Sequence, residues 1–431
     1  MRRRDLLAAC GVGLTGLAGC SSVPWTNEDE GPDVDTAALA ADLDPVAFPA
    51  TPFPSDVLDT CVTRHRERAE TLLDRVPSDP SIPNEAVRQE LDHVRPDPEE
   101  RPPESLPDGE WALDWLDDWR RYRADAATAE AAYRAATGTD DAGALATRRR
   151  EIRGAIGDLW ADWTYRAPDP LTAAVVHAPL EDMVDTARRF VQPRETYPSD
   201  PVAAPFRAGE VVHSVERADA VVADARRIRD AIVDGDTSPH AGALGTATQR
   251  LRWSLSETAD GLHSYVEEGE EAFGRELSGA DRALVTESTR SFRYLREEVR
   301  ELHDDDQYAL AVVETGRALV AAEVLRAIVT GVRNREYPDE VTESLVQQAA
   351  ADARTAVRGV LDQSQSPLTV ALLHPALDRQ RGTVREMAEG YHDGADAYAA
   401  FTRTAMYARG VPEATTFVAG RLDEASEDGD G

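Results

Sequence analysis

The sequence predicts an all-α protein, elongated or bundled, built on two weakly repeated helical bundles. Three observations lead there. Apolar residues recur at steps of three and four through most of the 431 residues, the spacing of one helix face. No stretch shows sustained two-residue alternation, the mark of a half-buried strand. One motif, Pro170-Leu171-Thr172-Ala173-Ala174-Val175-Val176-His177, returns as Pro367-Leu368-Thr369-Val370-Ala371-Leu372-Leu373-His374.

Residues 1–19 stand apart from this pattern. Arg2, Arg3 and Arg4 precede an apolar run, Leu6 to Ala18, which is shorter than the roughly 20 residues a membrane helix needs and ends in Leu17-Ala18-Gly19-Cys20. Arg3-Arg4-Asp5-Leu6-Leu7 resembles the twin-arginine export signal, and Leu17-Ala18-Gly19-Cys20 resembles a lipobox. The resemblance implies a signal peptide cleaved before Cys20, a covalent lipid on Cys20, and a lipoprotein held at the outer face of the cell membrane. Two acyl or ether chains would hold it stably, since each buried methylene contributes about 0.8 kcal/mol.

Charge agrees with an unusual solvent. Eighty Asp and Glu face 47 Arg and no Lys, for a formal charge of −33. At molar salt the Debye length falls to about 3 Å and the self-repulsion is screened. Such an acidic, lysine-free composition, with twin-arginine export, resembles proteins of extremely halophilic archaea. It also excludes nucleic acid as a partner, because no basic block outside residues 2–4 offers counterion release from phosphate.

Residues 20–54, rich in Pro and acids, read as a disordered tether. Residues 55–109 hold N-terminal helices and a Pro-rich linker: Leu58, Val62, Ala69, Leu72 and Val76 form one face, Pro77 ends it, a short helix follows near 84–94, and prolines recur from 96 to 109. Cys61, the one thiol beyond the lipid site, reads as buried and inert. The first bundle, 110–234, opens on Trp111, Trp115, Trp119, Tyr122, Ala126, Ala129, Tyr133 and Ala136, with Gly138 as the stop. Further helices are predicted over 141–166, 170–192 and 206–233. Residues 235–304 read as a helical hairpin joining the bundles. The second bundle, 305–425, starts with a helix over 309–332 that is apolar on nearly every side, yet Glu314, Arg317, Glu323 and Arg326 argue against a membrane span. Helices over 339–364, 367–390, 395–409 and 412–424 follow, and an acidic tail, 426–431, is expected to fray.

In each repeat Asp169 or Ser366 is placed to cap the helix, Pro170 or Pro367 takes its first position, and Pro179 or Pro375 interrupts it just past the histidine. Weaker echoes run in the same order: Ala129-Glu130 with Ala322-Glu323, and Arg153-Gly154 with Arg358-Gly359.

The candidate chemistry centres on the repeat. His177 with Glu181, and His374 with Asp378, stand four residues apart, so each pair shares a helix face and offers nitrogen and oxygen to a divalent metal, with Glu130 and Glu323 as further ligands. The bland counterpart is an ion pair or a satisfied core histidine. The motif is similar to the Gly-x-His-x-x-Glu of imelysin-like envelope proteins, but here no Gly precedes it and the carboxylate lies one residue further on. Glu90-x-x-His93 and Glu210-x-x-His213 have di-iron spacing, one beside the Pro-rich linker and the other with Arg217 toward water. Trp111, Trp115, Trp119, Trp160 and Trp163 fit a bundle core better than a stacking platform. Gly11-x-Gly13-x-x-Gly16 lies in the signal and follows no strand. No nucleophile elbow, His-Glu-x-x-His or Cys-x-x-Cys occurs. The expectation is therefore a lipid-anchored, non-catalytic binding or scaffold protein, its partner a protein or a small molecule, with a metal-binding envelope protein as the alternative.

Overall fold

Helices form where the apolar spacing places them. A computed structural model describes residues 34–192, 196–235 and 237–429; the expected signal peptide, Cys20 and the first part of the expected tether lie outside the described residues. The first half consists of α1 (Thr36–Ala40), α2 (Ser55–Leu73), α3 (Glu85–Val94), α4 (Ala112–Ala136), α5 (Ala142–Ala161), α6 (Pro170–Val191) and α7 (Pro205–Val233). The second consists of α8 (Ala241–Asp260), α9 (His263–Glu268), α10 (Gly279–Asp304), α11 (Tyr308–Asn334), α12 (Glu343–Gln363), α13 (Pro367–Ala388) and α14 (Gly394–Gly429). A two-residue antiparallel ladder, β1 (Arg166–Ala167) with β2 (Ser238–Pro239), is the sole sheet among the described residues. The protein is all-α, with two related helical bundles.

The repeat is visible in the order and length of helices. α4, α5, α6 and α7 have 25, 20, 22 and 29 residues; α11, α12, α13 and α14 have 27, 21, 22 and 36. Asp169 accepts from the Thr172 N–H at 2.8 Å and Ser366 from the Thr369 N–H at 3.2 Å, so both repeats use the same cap. In the first half α4 packs on α7 and α2; in the second α14 packs on α12 and α13, and α11 on α10. Gly209 lets α7 approach α4 closely, since a Cβ there would stand 2.8 Å from the Thr128 carbonyl oxygen.

The two halves share α6. Its Val176, Leu180, Met183, Val184 and Ala187 enter the first-half core with Trp115, Trp119 and Ile228. Its Ala173, Ala174, Val175 and Ala178 join Leu244, Val313, Leu372 and Leu373 of the second half. From Val34 onward the chain forms one compact unit.

Four expectations are corrected. The tether ends early: within 34–54, Leu39, Val46, Phe48 and Phe53 are buried, because single apolar residues spaced between prolines reach slots on the bundles. The stretch 235–304 is no separate joiner, since α8 and α10 pack on both α11 and α14. The helices expected on either side of Pro412 are one helix, α14. Phe401, Ala408, Val411, Val418 and Leu422 are buried along it, and that burial offsets the hydrogen bond the proline lacks. Helix α14 also continues into the tail as far as Gly429, with Asp428 paired to Arg250.

Candidate functional site

The densest chemistry lies inside the first half, between α2, α4 and α7. Asp224 on α7 is fully buried, and its Oδ2 meets His65 Nε2 of α2 and Arg120 Nε of α4, each at 2.7 Å. Burial alone would raise the Asp224 carboxyl, yet Arg120 and His65 hold it well below the usual range. His65, 1 % exposed, is driven toward its neutral form by burial, which outweighs the pull of Asp224. The neutral ring fits its partners: Nε2–H donates to Asp224, and Nδ1 faces Arg123 Nη1 at 3.4 Å.

About two turns of α7 away, Glu216 accepts from three arginines: Arg68 of α2 at 3.0 Å, Arg123 of α4 at 2.7 Å and Arg148 of α5 at 2.5 Å. Against its own burial, Arg123 and then Arg68 and Arg148 hold its carboxyl far below the ordinary value. Arg123 and Arg148 both continue to Asp219. Cys61 sits beside this network, and burial followed by the Asp224 charge pushes its thiol up to about 12, so it is inert at neutral pH. Sequence reading passed over this network. Its trace was a set of charged residues, Arg120, Arg123, Glu216 and Asp224, beside the apolar stripes of two long helices.

The repeated histidines are in place, but their pairs are not metal sites. His177 Nε2–H donates to the Arg166 carbonyl at 3.0 Å, and its ring lies against Trp163 and Tyr165, with centroids 5.6 Å away in each case. His374 lies against Phe48 at 5.1 Å and Trp111 at 5.0 Å. Burial lowers both imidazoles, His374 to about 3, so each is a neutral ring between two aromatic rings. Their carboxylates diverge: Glu181 is fully buried and turned to Tyr165 and the start of α11, whereas Asp378 is exposed. Glu130 pairs with Arg75 and Arg134, and Glu323 with Arg326. Among the described residues no group of three or more His, Cys, Asp or Glu is disposed to hold a metal ion. A four-residue spacing puts two side chains on one helix face but does not aim their polar atoms at one point: His177 Nε2 is turned to the Arg166 carbonyl, while Glu181 is turned to the Tyr165 hydroxyl and the first turn of α11.

Nor do the di-iron spacings converge. His93 Nδ1 lies 2.8 Å from the Gln89 carbonyl, and His213 faces Thr128 and Asp125. Trp115 and Trp119 both donate to the Pro103 carbonyl, at 2.8 and 3.0 Å, so the Pro-rich stretch is a lid over α4.

Where α6, α10 and α11 meet, a partly open cluster gathers Asp182, Tyr294, Glu298, Glu314 and Arg317. Burial and then the Glu314 charge push the Glu298 carboxyl up to about 7, while Arg317 is spent on Glu314 at 2.5 Å and on the Ala371 carbonyl at 2.8 Å. Crowded carboxyls of this kind hold a proton near neutrality.

Comparison with known proteins divides the chain where the helices do. Residues 60–238 match the family described as Domain of unknown function (DUF8262), and residues 241–420 match that described as Domain of unknown function (DUF8264). No curated protein and no solved structure matches the chain.

Proposed function

We propose that the chain is a lipid-anchored helical binding or scaffold protein at the outer face of the cell membrane, attached through Cys20. The observation that carries this reading is the order Arg3-Arg4, apolar run, Leu17-Ala18-Gly19-Cys20 at the N-terminus. The fold is compatible with it: the first described helix begins at Thr36, 16 residues after Cys20. The buried charges support a scaffold, because Asp224 and Glu216 are spent on intramolecular partners that tie α2, α4 and α5 to α7. Among the described residues no helix is long and apolar enough to cross a membrane.

Expression of the full chain and of Cys20→Ser in a halophilic host tests the reading. The wild type is expected in the membrane fraction with a lipid-modified Cys20 terminus and accessible to external protease, and Cys20→Ser in the medium. An intact Met1 by mass spectrometry, or wild-type protein among intracellular material, overturns it.

A further inference from the structure

We propose that Tyr165, Glu181 and the Asp306 carbonyl form a proton-operated latch across the seam between the two halves, closed while Glu181 keeps its proton and loosened when that proton leaves. The starting point is the first turn of α11, whose N–H groups have no partners within the helix. Gln307 at its head provides no side-chain cap. The cap comes from the other half: the Leu310 N–H donates to Glu181 Oε2 at 2.5 Å, the Ala309 N–H reaches the same carboxyl, and the Tyr308 N–H donates to Tyr165 Oη at 3.3 Å.

Counting hydrogens makes this cap sensitive to one proton. Tyr165 Oη stands 2.5 Å from Glu181 Oε1 and 3.0 Å from the Asp306 carbonyl oxygen, and it has a single hydrogen to give. With Glu181 neutral, its O–H donates to Tyr165 and the Tyr165 O–H donates to Asp306, so every buried group is satisfied. With Glu181 ionised, the carboxylate and the carbonyl compete for the one hydroxyl hydrogen, and one buried acceptor is left without a donor. Both ends of the hydroxyl–carbonyl bond are also strained, for Tyr165 has φ 47° and Asp306 φ 57°, a left-handed region that non-glycine residues enter only when their surroundings hold them there. Opening the bond frees both.

The electrostatics match. Burial pushes the Glu181 carboxyl up to about 8, and the donors from Tyr165, Leu310 and Ala309 pull it back only in part. Tyr165 is raised above the ordinary phenol range by burial and by Glu181, so the carboxyl gives up its proton first. The other titratable groups around the latch are held elsewhere. His177 on α6 is turned to Arg166, and Arg229 of α7 and His240 ahead of α8 lie near that ring. The Asp306 carboxylate accepts from the Tyr308 hydroxyl, and the Glu314 charge on α11 acts on Asp182. His374 of α13 lies between Phe48 and Trp111, and Tyr407 of α14 beside Arg317.

Hydrogen exchange of residues 306–312, measured on the full chain in molar salt from pH 6 to 9 and corrected for intrinsic exchange, tests the latch. Protection in the wild type is expected to fall at least about tenfold across that range. Glu181→Gln, whose amide donates to Tyr165 while its carbonyl accepts from α11, is expected to stay flat. A flat wild type, or the same response in both, overturns the proposal. Should Glu181→Gln fail to fold, infrared spectra of the Asp182→Asn, Glu298→Gln double variant decide: a protonated-carboxyl band present at pH 6 and lost by pH 9 supports the latch, and its absence at pH 6 overturns it.

Discussion

Asp224, Glu216 and Glu181 are three carboxyls out of reach of water, and the fold keeps them in two opposite ways. Asp224 and Glu216 stay ionised because guanidinium groups surround them; Glu181 stays neutral because only a hydroxyl and backbone N–H groups do. Their pH signatures are therefore opposite. The first two contribute stability that is complete above the unfolded carboxyl value of about 4 and is lost as pH falls through their lower folded values. Glu181 contributes stability that is complete below that value and is lost as pH rises through about 8. Denaturant titrations at a series of pH values are expected to show a smaller loss of stability below about pH 4 in Glu216→Gln than in the wild type. Asp224→Asn removes the nearer, buried counter-charge of Arg120 and leaves it only Asp117 at 4.0 Å, and is expected to cost about 3–5 kcal/mol; a midpoint unchanged from wild type would mean that Asp117 suffices. Cys61, with no exposed surface and its thiol near 12, is expected to resist iodoacetamide at pH 8 until the chain is unfolded. The burial of Cys61 was legible, since Cys61, His65, Ala69 and Leu72 climb one face of α2. The identity of its neighbour was not, because Asp224 is distant in sequence and nothing local marks it as the acid that meets His65.

At the scale of an element, a proline inside a helix leaves the carbonyl four residues back without its donor. Pro375 does this to Ala371, and the Arg317 guanidinium of α11 fills the gap through Nε at 3.2 Å and Nη2 at 2.8 Å. A double-mutant cycle isolates the effect. Arg317→Leu is expected to cost about 1–3 kcal/mol in the wild type and measurably less in a Pro375→Ala background, where a new N–H serves the same carbonyl. Equal costs in the two backgrounds would dissociate the arginine from the proline. The sequence showed that a break beside His374 must free a carbonyl. Which residue would answer it depends on how α11 lies across α13, and periodicity within one helix carries no such information. The same blindness explains α14, where Pro412 read as a boundary although buried residues on both sides keep the helix whole.

For the whole molecule, the face that α6 lends to the second half decides how the chain behaves when divided. Residues 34–240 alone would expose Ala173, Ala174, Val175 and Ala178, and residues 241–429 alone would lack the Glu181 cap on α11. Each fragment is expected to aggregate or stay partly unfolded, and co-expression to restore one monodisperse species by size exclusion; two well-folded separate fragments would contradict the shared core. With a formal net charge of −33, lowering salt from about 1 M to 0.1 M lengthens the Debye length from about 3 to 10 Å, and the thermal midpoint is expected to drop. Sequence alone determined the helical class, most helix limits, the duplicated cap-proline-histidine motif and the acidic, lysine-free composition, because each is written in short-range spacing or in bulk count. Tertiary structure alone decided that His177 and His374 are aromatic-lined core rings, that Glu181 caps a helix 129 residues away, and that four buried charges knit α2, α4 and α7 together. Those outcomes depend on which faces meet across the bundle, a property of three-dimensional packing that no local pattern encodes.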